Sequence, residues 1–259
     1  MPVNGLVSSI GSGPDLVMVH GWGAHSGVWG EFAQYLAAHF RLHLVDLPGH
    51  GRLRHQQGGF CAESVLGEIQ SEVPAAHWLG WSLGGLLALL RATGSRQKPK
   101  KLVLLSTTAC FLENETWPHG MGVAEFKAFR RGVKHDAHKS LERFNSLQVH
   151  GDERQASIRK LLDDCVRSAP PNRAALLAGL DMLGELDLSA KLSRLEQAVM
   201  LVSGDQDRVV SSEATAQTAA RIPRSVHHVI RGAGHAPFIS HAAQTGQLVA
   251  EFLQAECRP

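Results

Sequence analysis

Leu79-Gly80-Trp81-Ser82-Leu83-Gly84-Gly85 carries a Gly-x-Ser-x-Gly pattern, with apolar residues behind it and the apolar run Leu86 to Leu90 ahead. The pattern predicts a nucleophile elbow, a sharp strand-to-helix turn with a strained serine at its apex. Glycine is required on both sides because, in so tight a turn, a Cβ two residues from the serine collides with neighbouring chain. A helix that begins just after Ser82 also points unpaired N–H groups toward any negative charge forming there. An ordinary turn satisfies the same five residues, so the flanking chain has to separate a nucleophile from a turn residue.

Behind the elbow, His77 to Gly80 reads as the strand that feeds it, and Ala62 to Val73 as an amphipathic helix. Further back, Leu16-Val17-Met18-Val19 and Leu42 to Leu47 are short unbroken apolar runs, the pattern of strands buried on both faces of a mostly parallel sheet. The first run ends in His20-Gly21-Trp22-Gly23 and is followed by helical periodicity from Val28 to Phe40. The second ends in Asp46-Leu47-Pro48-Gly49-His50-Gly51, where Asp46 is expected to organise the turn rather than do chemistry. Ahead of the elbow, Lys100 to Ser106 is another strand run. From about Phe111 to Leu186 the chain is rich in helix formers and has no β-branched strand run, so it reads as a helical insertion. Strand character returns at Ala198 to Val202 and at Val226 to Ile230, and an amphipathic helix from about Ala242 to Glu256 follows.

Strands alternating with helices predict an α/β protein with a doubly wound, mostly parallel sheet. In such sheets functional groups gather at the carboxyl ends of the strands. Trp22, Ser82, Asp207 and His235 each follow a predicted strand. A serine hydroxyl becomes a good nucleophile when an imidazole takes its proton and a carboxylate holds that imidazole in one tautomer. Two acids follow the Ala198 strand. Asp205 stands near the strand end and suits hydrogen bonding to loop amides, and Asp207 stands three residues after Gly204. His227 and His228 lie inside a strand and His241 at a helix start, whereas His235 follows two glycines in a loop free to reach Ser82. The order Ser82, Asp207, His235 is that of the α/β-hydrolase fold. The expected oxyanion hole is the N–H of Leu83 together with the N–H of Trp22.

Composition narrows the classes. The 259 residues are 44% apolar and 19% charged with a formal net charge of +2, so the chain can bury a large core and has no global field of the kind nucleic-acid binders carry. The fifteen histidines are scattered and no zinc spacing is present, so no metal is expected. Cys61, Cys110, Cys165 and Cys257 are far apart, and free thiols are expected. Residues 1–14 lack the basic region and long apolar run of a signal peptide, and no stretch is apolar enough to span a bilayer. The expectation is a cytoplasmic monomer with no membrane or nucleic-acid partner.

Several stretches together resemble the pimeloyl-acyl-carrier-protein methyl ester esterases of biotin synthesis. They are His20-Gly21-Trp22-Gly23, Leu42 to Gly49, Trp78 to Gly85 and His235-Ala236-Pro237-Phe238-Ile239-Ser240-His241, with Glu115 to Pro118 and Glu142 to Gln148 in the insertion. The resemblance runs from about Leu16 to Leu253. It implies an α/β-hydrolase core of residues 1–110 and 187–259, with residues 111–186 as a helical lid. It also selects Asp207 as the catalytic acid and implies a serine carboxylesterase without cofactor. The implied substrate is a methyl-capped pimeloyl chain on acyl carrier protein. Trp22, Trp81, Leu83, Phe144, Asn145, Ser146, Leu147, Gln148 and His235 are the implied substrate contacts, with Phe111 as a further candidate for an apolar slot. Lys127, Arg130, Arg131 and Lys134 share one helical face and, with Arg159, are candidates for carrier contact; a solvated lid surface is the plainer alternative. Rival readings are a broad short-chain carboxylesterase or thioesterase on the same fold, and a non-catalytic binding protein that kept it.

Overall fold

A computed structural model describes residues 5–73, 75–94 and 97–255. Seven strands form one sheet: β1 (Val7–Ile10), β2 (Asp15–Val19), β3 (Arg41–Val45), β4 (His77–Trp81), β5 (Lys101–Leu105), β6 (Ala198–Gly204) and β7 (Ser225–Ile230). Their spatial order is β1-β3-β2-β4-β5-β6-β7, with β1 antiparallel to β3 and the rest parallel. The helices are α1 (Gly30–Ala37), α2 (Ala62–Glu72), α3 (Leu83–Gly94), α4 (Val123–His135), α5 (Ala137–Gln148), α6 (Gln155–Ser168), α7 (Arg173–Glu185), α8 (Ser212–Ala220), α9 (Pro237–Ser240) and α10 (Ala242–Gln254).

The unbroken apolar strands are explained by burial on both faces. Along β2, Val17 and Val19 join a core with Leu102, Leu104, Val199 and Leu201, under α2, α3 and α8. Leu16 and Met18 point the other way, into a second core with Val103, Leu105, Met200 and Val202, under α1 and α10. Two-residue alternation therefore fills two cores from one set of strands.

Two expectations change. The start of the chain carries β1, which its Gly/Ser-rich composition does not reveal. Val7–Ile10 holds two serines and is half-exposed, and its pairing comes from β3 rather than from its own hydrophobicity. The predicted helix from Val28 to Phe40 divides into a single 3₁₀ turn, Ser26–Trp29, and α1, which opens on Gly30 at φ 39°. The end of the last predicted helix, Glu256, lies outside the described residues, as does Cys257.

Helices α4 to α7 leave the sheet after β5 and return before β6. A single bridge between Cys110 and Asp187 brings the departing and returning chain together. Register then sets the functional edge. Val19 lies opposite Gly80, Trp81 opposite Leu105, Leu105 opposite Val202, and Gly204 opposite Ile230. The loops carrying Trp22, Ser82, Asp207 and His235 therefore leave the sheet on one side and at one level.

Candidate active site

Ser82 sits at φ 55°, in the left-handed region that a residue with a Cβ seldom occupies. Strain of this kind costs on the order of 1–3 kcal/mol and persists only where the surroundings impose it. Here the imposition is visible. The Ser82 amide donates to Leu105 O at 2.9 Å, and the Thr107 hydroxyl donates to Ser82 O at 2.8 Å. A Cβ on Gly80 would lie 2.2 Å from Gly84 O, and one on Gly84 would lie 2.1 Å from Val19 O. Those clashes explain the Gly-x-Ser-x-Gly pattern, and the second shows the first turn of α3 pressed against the end of β2.

His235 and Asp207 meet on the same side. His235 Nδ1 lies 2.7 Å from Asp207 Oδ2, and neither side chain is exposed. The other carboxylate oxygen accepts the amides of Val209 and Val210 at 2.8 and 2.9 Å, so the carboxylate is held from behind and aimed at the ring. The imidazole is thereby fixed with its proton on Nδ1 and its lone pair on Nε2. Nε2 is buried and has no hydrogen-bond partner among the described residues. Its lone pair is therefore free to accept a proton.

The loop around His235 is held by backbone contacts. The His235 amide donates to Gln148 O at 2.9 Å, and Trp81 Nε1 donates to His235 O at 2.8 Å. Gly234 donates to Asp152 Oδ2 at 2.7 Å. The competing residues have other partners. Asp205 accepts the Gly232 amide at 2.8 Å, His227 pairs with the Ser203 hydroxyl at 2.8 Å, and His241 pairs with the Ser240 hydroxyl at 2.8 Å.

Leu83 opens α3, and Trp22 follows the end of β2. A Cβ on Gly179 in α7 would lie 2.9 Å from the Trp22 ring and 3.1 Å from Leu83 Cδ2, so the two side chains adjoin. Trp22 Nε1 donates to Leu176 O at 2.8 Å, which leaves only its ring face for a ligand. His20, directly before this segment, is wholly buried, and burial holds its imidazole down at about 4. Asp46 accepts Ser26 N at 2.7 Å and both the amide and Nε of Arg52, so it organises the loops around Pro48.

Ser82 opens into a narrow cavity walled by Trp22, Phe111, Phe144, Met121, Phe126, Phe129, Leu180, Leu183 and Val209. The expected slot is corrected in part. Trp22, Phe111 and Phe144 line it, but Trp81, Leu83 and Leu147 do not. Trp81 packs on Gly21, His235 and Phe238, and Leu83 is a fully buried core residue. Helix α5 turns Leu141, Phe144, Asn145 and Gln148 inward, leaving Ser146 exposed and Leu147 at the margin. Asn145 and Gln148 line a smaller neighbouring cavity with Trp22 and Trp81. Sequence reasoning missed six wall residues, from Met121 to Val209. The signal for two of them was the apolar stripe Phe126, Phe129, Val133, at helical spacing beside the basic one.

The basic residues divide. Lys127, Arg131 and Lys134 are exposed along α4. Arg130 is paired with Asp181 at 2.7 Å, and Arg159 with Asp163 at 2.9 Å and with the Ser146 hydroxyl. Cys61, Cys110 and Cys165 are free thiols. Among the described residues no three His, Cys, Asp or Glu side chains are grouped to hold a metal, and no helix is long and apolar enough to cross a membrane.

Comparison with known proteins follows the same lines. Residues 16–248 match the profile of the Alpha/beta hydrolase family. The chain is 39% identical over 95% of its length, and 95% of the relative's, to the pimeloyl-[acyl-carrier protein] methyl ester esterase of Stenotrophomonas maltophilia. It is 38% identical over 92% of its length, and 95% of the relative's, to the protein of that name from Nitrosomonas europaea. Among solved structures, a bromoperoxidase from Bacillus anthracis superposes with a TM-score of 0.86 at 20% identity, covering 96% of this chain and 95% of that one. An esterase from Exiguobacterium antarcticum superposes with a TM-score of 0.82 at 22% identity, with the same coverage. At such identities these two show the fold alone.

Proposed function

The chain belongs to the Alpha/beta hydrolase family and, within it, to the pimeloyl-[acyl-carrier protein] methyl ester esterases, and from that premise we propose that it hydrolyses the methyl ester of pimeloyl-acyl-carrier protein in biotin biosynthesis. The products are methanol and the carrier-bound free acid. The observation that carries the reading is the buried Asp207–His235 pair, with a free Nε2, at the sheet edge where strained Ser82 opens into an apolar cavity.

The chemistry follows from those positions. Ser82 attacks the ester carbonyl as His235 Nε2 takes its proton. The N–H groups of Leu83 and Trp22 receive the oxyanion. Protonated His235, supported by Asp207, gives its proton to the departing methanol. Water activated by the same nitrogen then frees the acid. The apolar walls suit a methyl-capped chain and offer a newly formed carboxylate no counter-charge, so the product is bound less well than the substrate. Lys127, Arg131 and Lys134 are the lid residues suited to an acidic carrier protein, since Arg130 and Arg159 already have carboxylate partners. The enzyme acts in the cytoplasm as a monomer, with residues 111–186 as its lid.

The test compares turnover of the carrier-bound methyl ester with that of free monomethyl pimelate, and asks whether the chain restores growth of a biotin-requiring strain lacking its esterase. Growth that depends on Ser82 supports the reading. Equal turnover of both esters, without rescue, would favour a broad short-chain carboxylesterase. Failure of a fluorophosphonate to label Ser82 would favour a non-catalytic binding protein.

A further inference from the structure

The imidazole of His20 bridges two backbone groups. The Leu47 amide donates to His20 Nε2 at 3.1 Å, and His20 Nδ1 lies 2.8 Å from Gly21 O. An N–H must point at a lone pair, so Nε2 is the unprotonated nitrogen. The ring proton is then on Nδ1, and Nδ1–H donates to Gly21 O. Both partners are buried, and His20 itself is 0% exposed, so no water competes for either contact.

The acceptor matters because of what lies across the same peptide. Gly21 O and the Trp22 N–H belong to one planar unit, and in a trans peptide they point in opposite directions. No peptide is cis among the described residues. A group that fixes Gly21 O therefore fixes the direction of the Trp22 N–H. The Ala24 amide also donates to Gly21 O, at 3.3 Å, and a Cβ on Gly21 would meet the Trp81 ring at 2.9 Å. The peptide is thus held at its oxygen on one side and packed against an indole on another. The start of α3 lies alongside, since a Cβ on Gly84 would be 2.6 Å from His20 O.

We propose that His20 is a positioning residue of the oxyanion hole: its Nδ1–H holds the Gly21 carbonyl and so aims the Trp22 N–H at the reacting carbonyl oxygen. The inference rests on the reading of Trp22 as an oxyanion donor. It gives the buried histidine a role that strand-end packing does not require. Packing needs only the bulk of the ring, whereas aiming needs a donor at the Nδ1 position. Burial keeps the ring neutral and so keeps the single-donor tautomer through the neutral range.

Two substitutions divide the ring's contacts. His20→Asn places an amide N–H where Nδ1 stands and loses the bond from Leu47. His20→Gln places an acceptor where Nε2 stands and loses the donor to Gly21. A purely structural role makes activity follow stability, so the Asn variant, with a buried Leu47 amide left unpaired, would be both the less stable and the slower. An aiming role reverses the order of activity. The expected result on p-nitrophenyl acetate is a kcat at least about tenfold lower for His20→Gln than for His20→Asn, with KM little changed and with His20→Gln the higher-melting of the two. Loss of a whole oxyanion donor costs about 10²–10³, which sets the upper bound. Equal losses, or the greater loss in His20→Asn, would overturn the inference. Should either variant fail to fold, nitrogen-15 NMR of the unaltered protein decides it: a neutral Nδ1–H tautomer at pH 7 upholds the inference and an Nε2–H tautomer ends it. Ser82→Ala is assayed on the same ester. Retained turnover there would sink the serine-esterase reading itself, while an inactive Ser82→Ala beside equal His20 losses defeats the aiming role alone.

Discussion

Gly234 donates its amide to the carboxylate of Asp152 at 2.7 Å, which ties the junction between α5 and α6 to the residue immediately before His235. The second oxygen of Asp152 accepts the Arg154 amide at 2.8 Å, and the side chain is buried. The helical insertion and the histidine loop are therefore one mechanical unit, reinforced by Gln148 O on the His235 amide and by Gly232 O accepting from Glu153. Asp152→Ala frees that loop, and displacements near 1 Å cost about 10²-fold in favourable cases. The expected outcome is a fall in kcat of about 10- to 100-fold on a small ester, checked by steady-state kinetics. An unchanged kcat would show that the remaining contacts hold His235 unaided.

Asp207 holds His235 through one oxygen while Val209 and Val210 hold the other. Asp207→Asn presents an amide to the ring and stabilises the wrong tautomer, with Nε2 protonated. In serine hydrolases this costs about 10⁴ in kcat with little change in geometry. The same loss is expected here on p-nitrophenyl acetate, with melting temperature altered by only a few degrees. Retention of more than a tenth of kcat would remove Asp207 from the mechanism.

The wall of the cavity makes a prediction about chain length. Phe129 lies with its ring 5.3 Å from Trp22 and 5.8 Å from Phe144, and it is only partly buried, so truncation is tolerable for folding. Phe129→Ala removes apolar contact worth about 1–2 kcal/mol to a bound acyl chain. KM for methyl pimelate should rise about tenfold while KM for p-nitrophenyl acetate, whose acyl group is too short to reach, stays nearly constant. A parallel rise for both esters would place Phe129 outside the acyl path.

Exposed charge on α4 makes a different one. Reversing Lys127, Arg131 and Lys134 to Glu should lower kcat/KM for the carrier-bound ester by about 10-fold or more at low salt and less at 0.5 M salt, because surface attraction is screened. Hydrolysis of p-nitrophenyl acetate should be untouched. Equal effects on both substrates would mean damage to the fold of α4 rather than loss of docking.

Stability should fall in mild acid. Burial lowers His20 to about 4 and His50 to about 3, from an ordinary 6.5. Both folded values are depressed, so the unfolded chain takes up protons first as pH drops below 6.5. Stability is thus complete above that pH and declines from there toward pH 3–4, by up to about tenfold in the folding constant per pH unit for each histidine. Asp46 adds a later loss. Burial pushes its carboxyl up, but His20, the Ser26 and Arg52 amides and the Arg52 guanidinium outweigh it and hold it at about 2. Melting temperature should therefore drop between pH 7 and pH 4.5, and His50→Leu should make that drop shallower. An unaltered slope in His50→Leu would show that His50 does not drive the change.

The amino-acid sequence by itself determined six of the seven strands and the chemistry-bearing loops. Unbroken runs such as Leu16 to Val19, and the one within Lys100 to Ser106, suit a strand covered on both faces. Gly80 is legible because a Cβ there would strike Gly84 O four residues on, and Ser82 because it stands at the centre of that glycine-flanked turn. His235, after Gly232 and Gly234 and before Ala236-Pro237, is legible from its place in a loop that follows a strand. All these signals are short-range, carried within a few residues of the group they describe.

What the tertiary structure decided is everything set by contact across long chain separations. Asp152 reads as one more acid on a charged lid until Gly234 is seen against it. Arg130 and Arg159 read as free cations until Asp181 and Asp163 occupy them. Trp81 reads as a wall of the slot beside the nucleophile, but its indole donates to His235 O, packs on Phe238 and borders only the smaller neighbouring cavity. Strand β1 exists because β3 offers it an edge. The walls of the cavity come from the loop after β2, the segment before α4, from α4, α5 and α7, and from the loop after β6, and no local pattern states which of their apolar faces will meet. Burial and pairing are properties of neighbours in space, and the chain names those neighbours only once it has folded.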